Sequence, residues 1–97
     1  MSTYISLLNW TEQGVRGYRD TVDRYEQARQ TMEKAGVQLK DAYWTIGPYD
    51  IVVVSEAADD ESHAAALLAL GAAGNVRSTT LRAFTADEMR SVIKKAG

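Results

Sequence analysis

An α+β domain, four antiparallel strands backed by two helices, is predicted by three features of the sequence. Tyr43-Trp44-Thr45-Ile46 and Ile51-Val52-Val53-Val54 are strand-like runs hinged on Gly47-Pro48, a pair that bends the backbone because Gly accepts unusual φ/ψ and Pro fixes φ. That pattern reads as a β-hairpin. A helical stretch precedes the hairpin and another follows it, and each is flanked on its far side by a further strand-like run. The resulting order is βαββαβ, which as two split βαβ units makes a ferredoxin-like sandwich with both helices on one face of the sheet.

Each element has its own local reason. Tyr4-Ile5-Ser6-Leu7-Leu8-Asn9-Trp10 suits a pleated sheet and stops at Thr11, a residue able to cap a helix. From Thr11 to Ala35 the apolar residues Val15, Tyr18, Val22, Tyr25, Met32 and Ala35 recur at helical spacing, which predicts one continuous helix. Its other face offers Arg16/Asp20, Arg19/Asp23, Asp20/Arg24 and Arg29/Glu33 at i,i+4, the spacing of solvated ion pairs. Gly36 ends the helix, and strands follow over Val37–Ile46 and Tyr49–Ala57.

A second helix begins at Asp59 or Asp60, where acidic residues complement the helix N-terminus, and it closes at Gly71 and Gly74. Ala64 to Leu70 make it apolar nearly all round, so it is expected to be covered on more than one side. Val76–Phe84 is the fourth strand. Thr85-Ala86-Asp87-Glu88 is a capping box, and Met89, Val92, Ile93 and Ala96 give the short terminal helix one apolar stripe.

The first strand carries large apolar groups on both sides: Tyr4, Leu8 and Trp10 on one, Ile5 and Leu7 on the other. A half-solvated sheet would alternate apolar with polar, so the face away from the helices wants a cover. A second copy of the same sheet supplies one economically, and a homodimer or higher homo-oligomer with a lined space between the sheets is expected. A chain of 97 residues with 45% hydrophobic content fits a single domain over residues 1–97, and one of this size often gains stability by associating.

Composition excludes several functions. The net charge of −2 and the pI near 5.3 offer no attraction for nucleic acid or an anionic membrane. The aromatic signature of RNA-recognition modules, which share the βαββαβ order, is also missing. No apolar stretch is long enough to span a bilayer. No cysteine is present, so no disulfide framework, thiolate nucleophile or Cys-ligated metal is available. Met1-Ser2-Thr3 runs straight into a strand without a secretory pattern, and a cytoplasmic location is expected.

Several segments together resemble the GYD-domain family of small bacterial and archaeal proteins: Asn9-Trp10-Thr11, Asp41 to Asp50, Glu56 to Glu61, and Gly74 to Phe84. The likeness spans almost the entire chain, with the name-giving residues as Gly47, Tyr49 and Asp50 and with Pro48 between the first two. It implies a dimeric α/β-barrel type of assembly and little about activity, since the family is largely without an assigned one. Chemistry does not transfer from other barrel-forming proteins by fold alone.

The candidate ligand-binding residues are Asn9, Trp10, Trp44, Tyr49, Asp50, Arg77 and Arg82. Asp50 stands where an apolar strand begins, so its carboxylate either accepts backbone N–H bonds in the turn or serves as an acid/base group; the structural role is the expectation. Trp44 and Tyr49 flank it as packing aromatics. Asn9, Arg77 and Arg82 could offer hydrogen bonds and positive charge to a small anion, though edge salt bridges or dimer contacts fit them better. His63, the single imidazole, lies one turn beyond Asp59; without a second His or any Cys it makes a poor metal site, and it is expected as a solvated residue near a helix start. No metal and no cofactor are expected. Two function classes follow: a homo-oligomeric assembly or small-ligand-binding module that uses the space between paired sheets, and a small cofactor-independent isomerase or monooxygenase-like enzyme with Asp50 as acid/base. A metabolite-sensing regulator is a third, and it would need another protein to reach DNA.

Overall fold

A computed structural model describes the whole chain, Met1–Gly97. Four strands form one sheet: β1 (Ser2–Trp10), β2 (Val37–Trp44), β3 (Ile51–Ala57) and β4 (Val76–Ala83), in the spatial order β2-β3-β1-β4. Every neighbouring pair is antiparallel. The helices are α1 (Glu12–Arg16), α2 (Thr21–Lys34), α3 (Asp60–Ala72) and α4 (Ala86–Ala96). This is the ferredoxin-like α+β sandwich read from the βαββαβ order.

The alternation along β1 and β3 decides what each face does. Tyr4, Ser6 and Leu8 on β1, with Ile51, Val53, Ser55 and Ala57 on β3, point toward the helices and are buried. They meet Val37, Ala66 and Val76 in two neighbouring apolar clusters, with Met32, Tyr25, Trp10 and Leu70 packed at the margins. Burying one Leu or Ile side chain of this set contributes roughly 1.5–3 kcal/mol. A bulge between Leu39 and Asp41 shifts β2 by one residue, so Leu39 before it and Ala42 after it both join the core.

The expected long helix over Thr11–Ala35 is broken in the structure. α1 stops at Arg16, a 3-10 turn covers Tyr18–Asp20, and α2 restarts at Thr21. Within α1, Gly14 is buried against the β4 approach so closely that a Cβ there would lie 1.9 Å from the Asn75 carbonyl oxygen. Thr11 fixes the same junction: its N–H donates to the Asn75 carbonyl, its hydroxyl to the Gly74 carbonyl, and its oxygen caps the Gly14 N–H. Arg24 then spans the break by donating to the Gly14 and Gly17 carbonyls. Val15, Tyr18 and Val22 are consequently exposed, and the apolar stripe survives only through Tyr25 and Met32.

The four expected i,i+4 ion pairs do not form. Arg16 pairs back with Glu12 and Arg29 with Glu26, while Arg24 is committed to carbonyls. These are exposed contacts worth a few tenths of a kcal/mol at most. The remaining termini match their sequence signals except at Gly71, which lies inside α3 and does not end it. Gly36 and Gly74 take positive φ after α2 and α3, Asp59 caps α3 through the Ser62 N–H, and Thr85 and Glu88 complete a reciprocal capping box on α4.

Two helical faces remain uncovered. α3 buries only His63 and Ala66, and Leu68 is 77% exposed, so the expected cover on its second side is absent from the single chain. α4 buries nothing and carries Met89, Val92 and Ile93 in the open, next to an exposed Phe84.

Candidate functional site

The hairpin between β2 and β3 holds three of the sequence-predicted residues in structural roles. Strands end at Trp44 and resume at Ile51, leaving a loop in which Gly47 adopts φ 135°. Thr45 closes it by donating its N–H to the Asp50 carbonyl and its hydroxyl to the Tyr49 carbonyl. The Asp50 carboxylate accepts the Trp10 backbone N–H at 2.9 Å, and the Asp50 N–H donates to the Leu8 carbonyl. Asp50 is thus an acceptor as expected, but its donor lies on β1 and not in the turn. Trp44 donates its indole N–H to Thr21 and meets Tyr25 edge to face, with ring centroids 5.8 Å apart.

The other predicted residues are scattered. Asn9 and Arg77 are register partners on the face away from the helices. Arg82 sits at the opposite end of β4, over the rings of Tyr4 and Phe84, and donates to the Thr3 and Ala83 carbonyls. Neither Arg77 nor Arg82 forms an ion pair, because no carboxylate reaches them. Trp10 faces the helices, and its buried indole N–H has no hydrogen-bond partner. Asn9, Trp10, Trp44, Tyr49, Asp50, Arg77 and Arg82 therefore do not converge on one pocket.

His63 requires a correction: it is buried, not solvated. Its place one turn into α3 aims it at the sheet, where its Nε2 lies 2.9 Å from the Ser55 hydroxyl and its ring stacks on Tyr4 with centroids 4.0 Å apart. The Tyr4 hydroxyl in turn donates to Asp60 at 2.5 Å. Desolvation pushes the imidazole pKa down, with the Asp60 carboxylate opposing, so the ring is neutral at pH 7. The hydrogen bond to Asp60 and burial both raise the Tyr4 phenol. The signal for this cluster was present in the sequence, since Ser6 and Ser55 interrupt the inward positions of otherwise apolar strands.

Above these residues lies a cavity of about 360 Å³ between α2, α3 and the helix-facing side of the sheet. Its lining is mostly apolar and includes Leu8, Ile51, Val53 and Leu70, with Ser6, Ser55 and His63 among the polar members. No group of His, Asp and Glu side chains comes together that could hold a metal ion.

The opposite sheet face is open. Ile5 pairs with Val54 and Leu81, Leu7 with Val52, and Tyr43 with Val52, giving one contiguous apolar patch across all four strands. Tyr43 is 59% and Leu81 48% exposed. Thr3, Asn9, Asp41, Glu56 and Arg77 border it.

The GYD domain profile matches residues 4–93. The chain belongs to the GYD domain family. A relative from Thermus thermophilus, the "glutamine synthetase and cystathionine beta-lyase binding protein", is 33% identical over 95 residues, covering 97% of this chain and all of that protein. The crystal structure of TTHA0845, also from Thermus thermophilus, matches with a TM-score of 0.56 at 24% identity, over 89% of this chain and 96% of that one. This likeness bears on the fold, and it agrees with the sandwich described above. No helix is long and apolar enough to cross a membrane.

Proposed function

We propose that this GYD protein is a non-enzymatic assembly module of the cytoplasm, which pairs through its open sheet face with a second copy and in that form binds enzyme subunits. The apolar patch of Ile5, Leu7, Tyr43, Val52, Val54 and Leu81 carries this reading. An apolar surface that crosses a whole sheet is seldom left to water, and the same patch turned about a two-fold axis is its own complement. The polar border suits an interface rim. The Thermus relative, named for binding two enzymes, supports enzymes as the partner class. The Asp50 carboxylate, committed to the Trp10 N–H, is better suited to holding the hairpin than to proton transfer.

Sedimentation at micromolar concentration tests self-association, and Leu81→Asp places a charge in the patch without touching the core. The wild type is expected as a dimer or larger and the variant as a monomer with an unchanged circular dichroism spectrum. A monomeric wild type would remove the basis of this function. Partner binding is tested by titrating the protein into purified glutamine synthetase of its own host; absence of heat and of a mobility shift with the dimer present would reject that enzyme as a partner.

A further inference from the structure

We propose that the cleft between α2 and α3 is a binding site for an uncharged, mostly apolar small molecule of bicyclic-aromatic size that carries one hydroxyl or carbonyl group. This site is on the far side of the sheet from the proposed dimer face, so it goes beyond the assembly role and does not depend on it.

Size comes first. The cavity of about 360 Å³ falls at the lower end of small-molecule pockets, which run from roughly 300 to 1,000 Å³. Since an apolar cavity of ~150 Å³ accommodates benzene, this one suits on the order of a dozen non-hydrogen atoms. Small side chains line it from both helices, Ala28 on α2 and Ala66 and Ala69 on α3, and leave the volume between the helices and the sheet unfilled.

Charge comes second. Arg24 is the one charged side chain in the lining, and its guanidinium is committed to the Gly14 and Gly17 carbonyls. No carboxylate and no lysine borders the space. A cation would meet no counter-charge, and an anion would meet only a guanidinium whose two terminal nitrogens already bond backbone carbonyls, so either would lose hydration with little direct compensation.

Polarity comes third. Ser6, Ser55 and His63 are each more than nine-tenths buried and line the cavity. Ser55 is the one hydrogen-bond partner of the His63 ring, so the second ring nitrogen has none within the chain. The Trp10 indole N–H, also in the lining, is buried without an acceptor. The indole N–H is closed off from water, so the polar partner left for a ligand group is the unpaired ring nitrogen of His63, with the Trp10 ring serving as an apolar wall. A single hydroxyl or carbonyl on an apolar body matches this set.

The probes are 2-naphthol, neutral at pH 7, and 2-naphthoate, an anion of similar shape, titrated into the full ¹⁵N-labelled protein. Trp44→Phe assigns the Trp10 indole resonance. 2-Naphthol is expected to shift that resonance saturably, with 2-naphthoate at least tenfold weaker. Ala28→Phe fills the cleft and should abolish the shift while the backbone spectrum stays folded; Ala69→Leu is the second filling variant, should the first perturb α2. Leu81→Asp should bind 2-naphthol like the wild type even as a monomer, which separates this site from the dimer face. An unmoved Trp10 resonance, undiminished binding in both folded filling variants, or equal affinity for 2-naphthoate would overturn the proposal.

Discussion

Asp50 shows how a single carboxylate can join two elements at once. Its side chain accepts from Trp10 on β1 while its backbone closes the loop to Thr45 and reaches Leu8, so the hairpin is tied to the central strand at its base. Asp50→Asn keeps an acceptor and should change stability little. Asp50→Leu should cost about 1–3 kcal/mol in urea unfolding, because the Trp10 N–H is left unpaired; equal stability of the two variants would argue that the carboxylate serves something other than the fold. His63 gives a pH signature. Burial lowers its folded pKa below the ordinary value near 6.5, so the unfolded chain takes the proton first. Stability contributed by the neutral ring is therefore full above that pH and is lost as pH falls toward the folded pKa. Urea midpoints at pH 7.5 and 5.5 should differ more in the wild type than in His63→Phe, and identical pH slopes would contradict a buried neutral imidazole.

The elements were legible wherever the signal is local. The strands, the Gly36 and Gly74 termini, the Asp59 cap and the Thr85/Glu88 box depend on residues within one turn of one another, and the structure contains each of them. The break between α1 and α2 was not legible from the apolar spacing, and the docking of α1 that accompanies it rests on Gly14 and Asn75, residues 61 positions apart in the chain. Helical periodicity continues smoothly through Gly17 in the sequence, whereas the structure ends α1 there. Gly14→Ala should accordingly destabilise by about 1–3 kcal/mol or more, since the added methyl meets backbone that cannot swing aside. Gly71→Ala, where a Cβ meets nothing within 4 Å, is the matched comparison within α3. Comparable melting temperatures for the two variants would show that the junction yields.

At the scale of the molecule, one sheet has a helix side with a core and a cleft, and an open side with an apolar patch. If the open side pairs two copies, unfolding includes dissociation, and the thermal midpoint should rise with protein concentration. Leu81→Asp should remove that dependence. A wild-type midpoint constant over a hundredfold range of concentration would speak for a monomer.

Short-range pattern by itself determined the βαββαβ order and the helix caps, because each of these rests on residue type and spacing of one to four positions, while the family followed from a resemblance along almost the entire chain. Tertiary structure alone decided the rest. Face assignment put Tyr4, Ser6 and Leu8 under the helices and Ile5 and Leu7 outside, although either set is apolar enough for a core. It also turned His63 from the solvated helix start its neighbours suggest into a buried partner of Ser55 and Tyr4, and it dispersed the aromatic and arginine candidates to separate edges of the sheet. The physical reason is common to both: a side chain's chemistry is set by what lies across from it, and in a sheet of order β2-β3-β1-β4 that neighbour comes from a distant part of the chain.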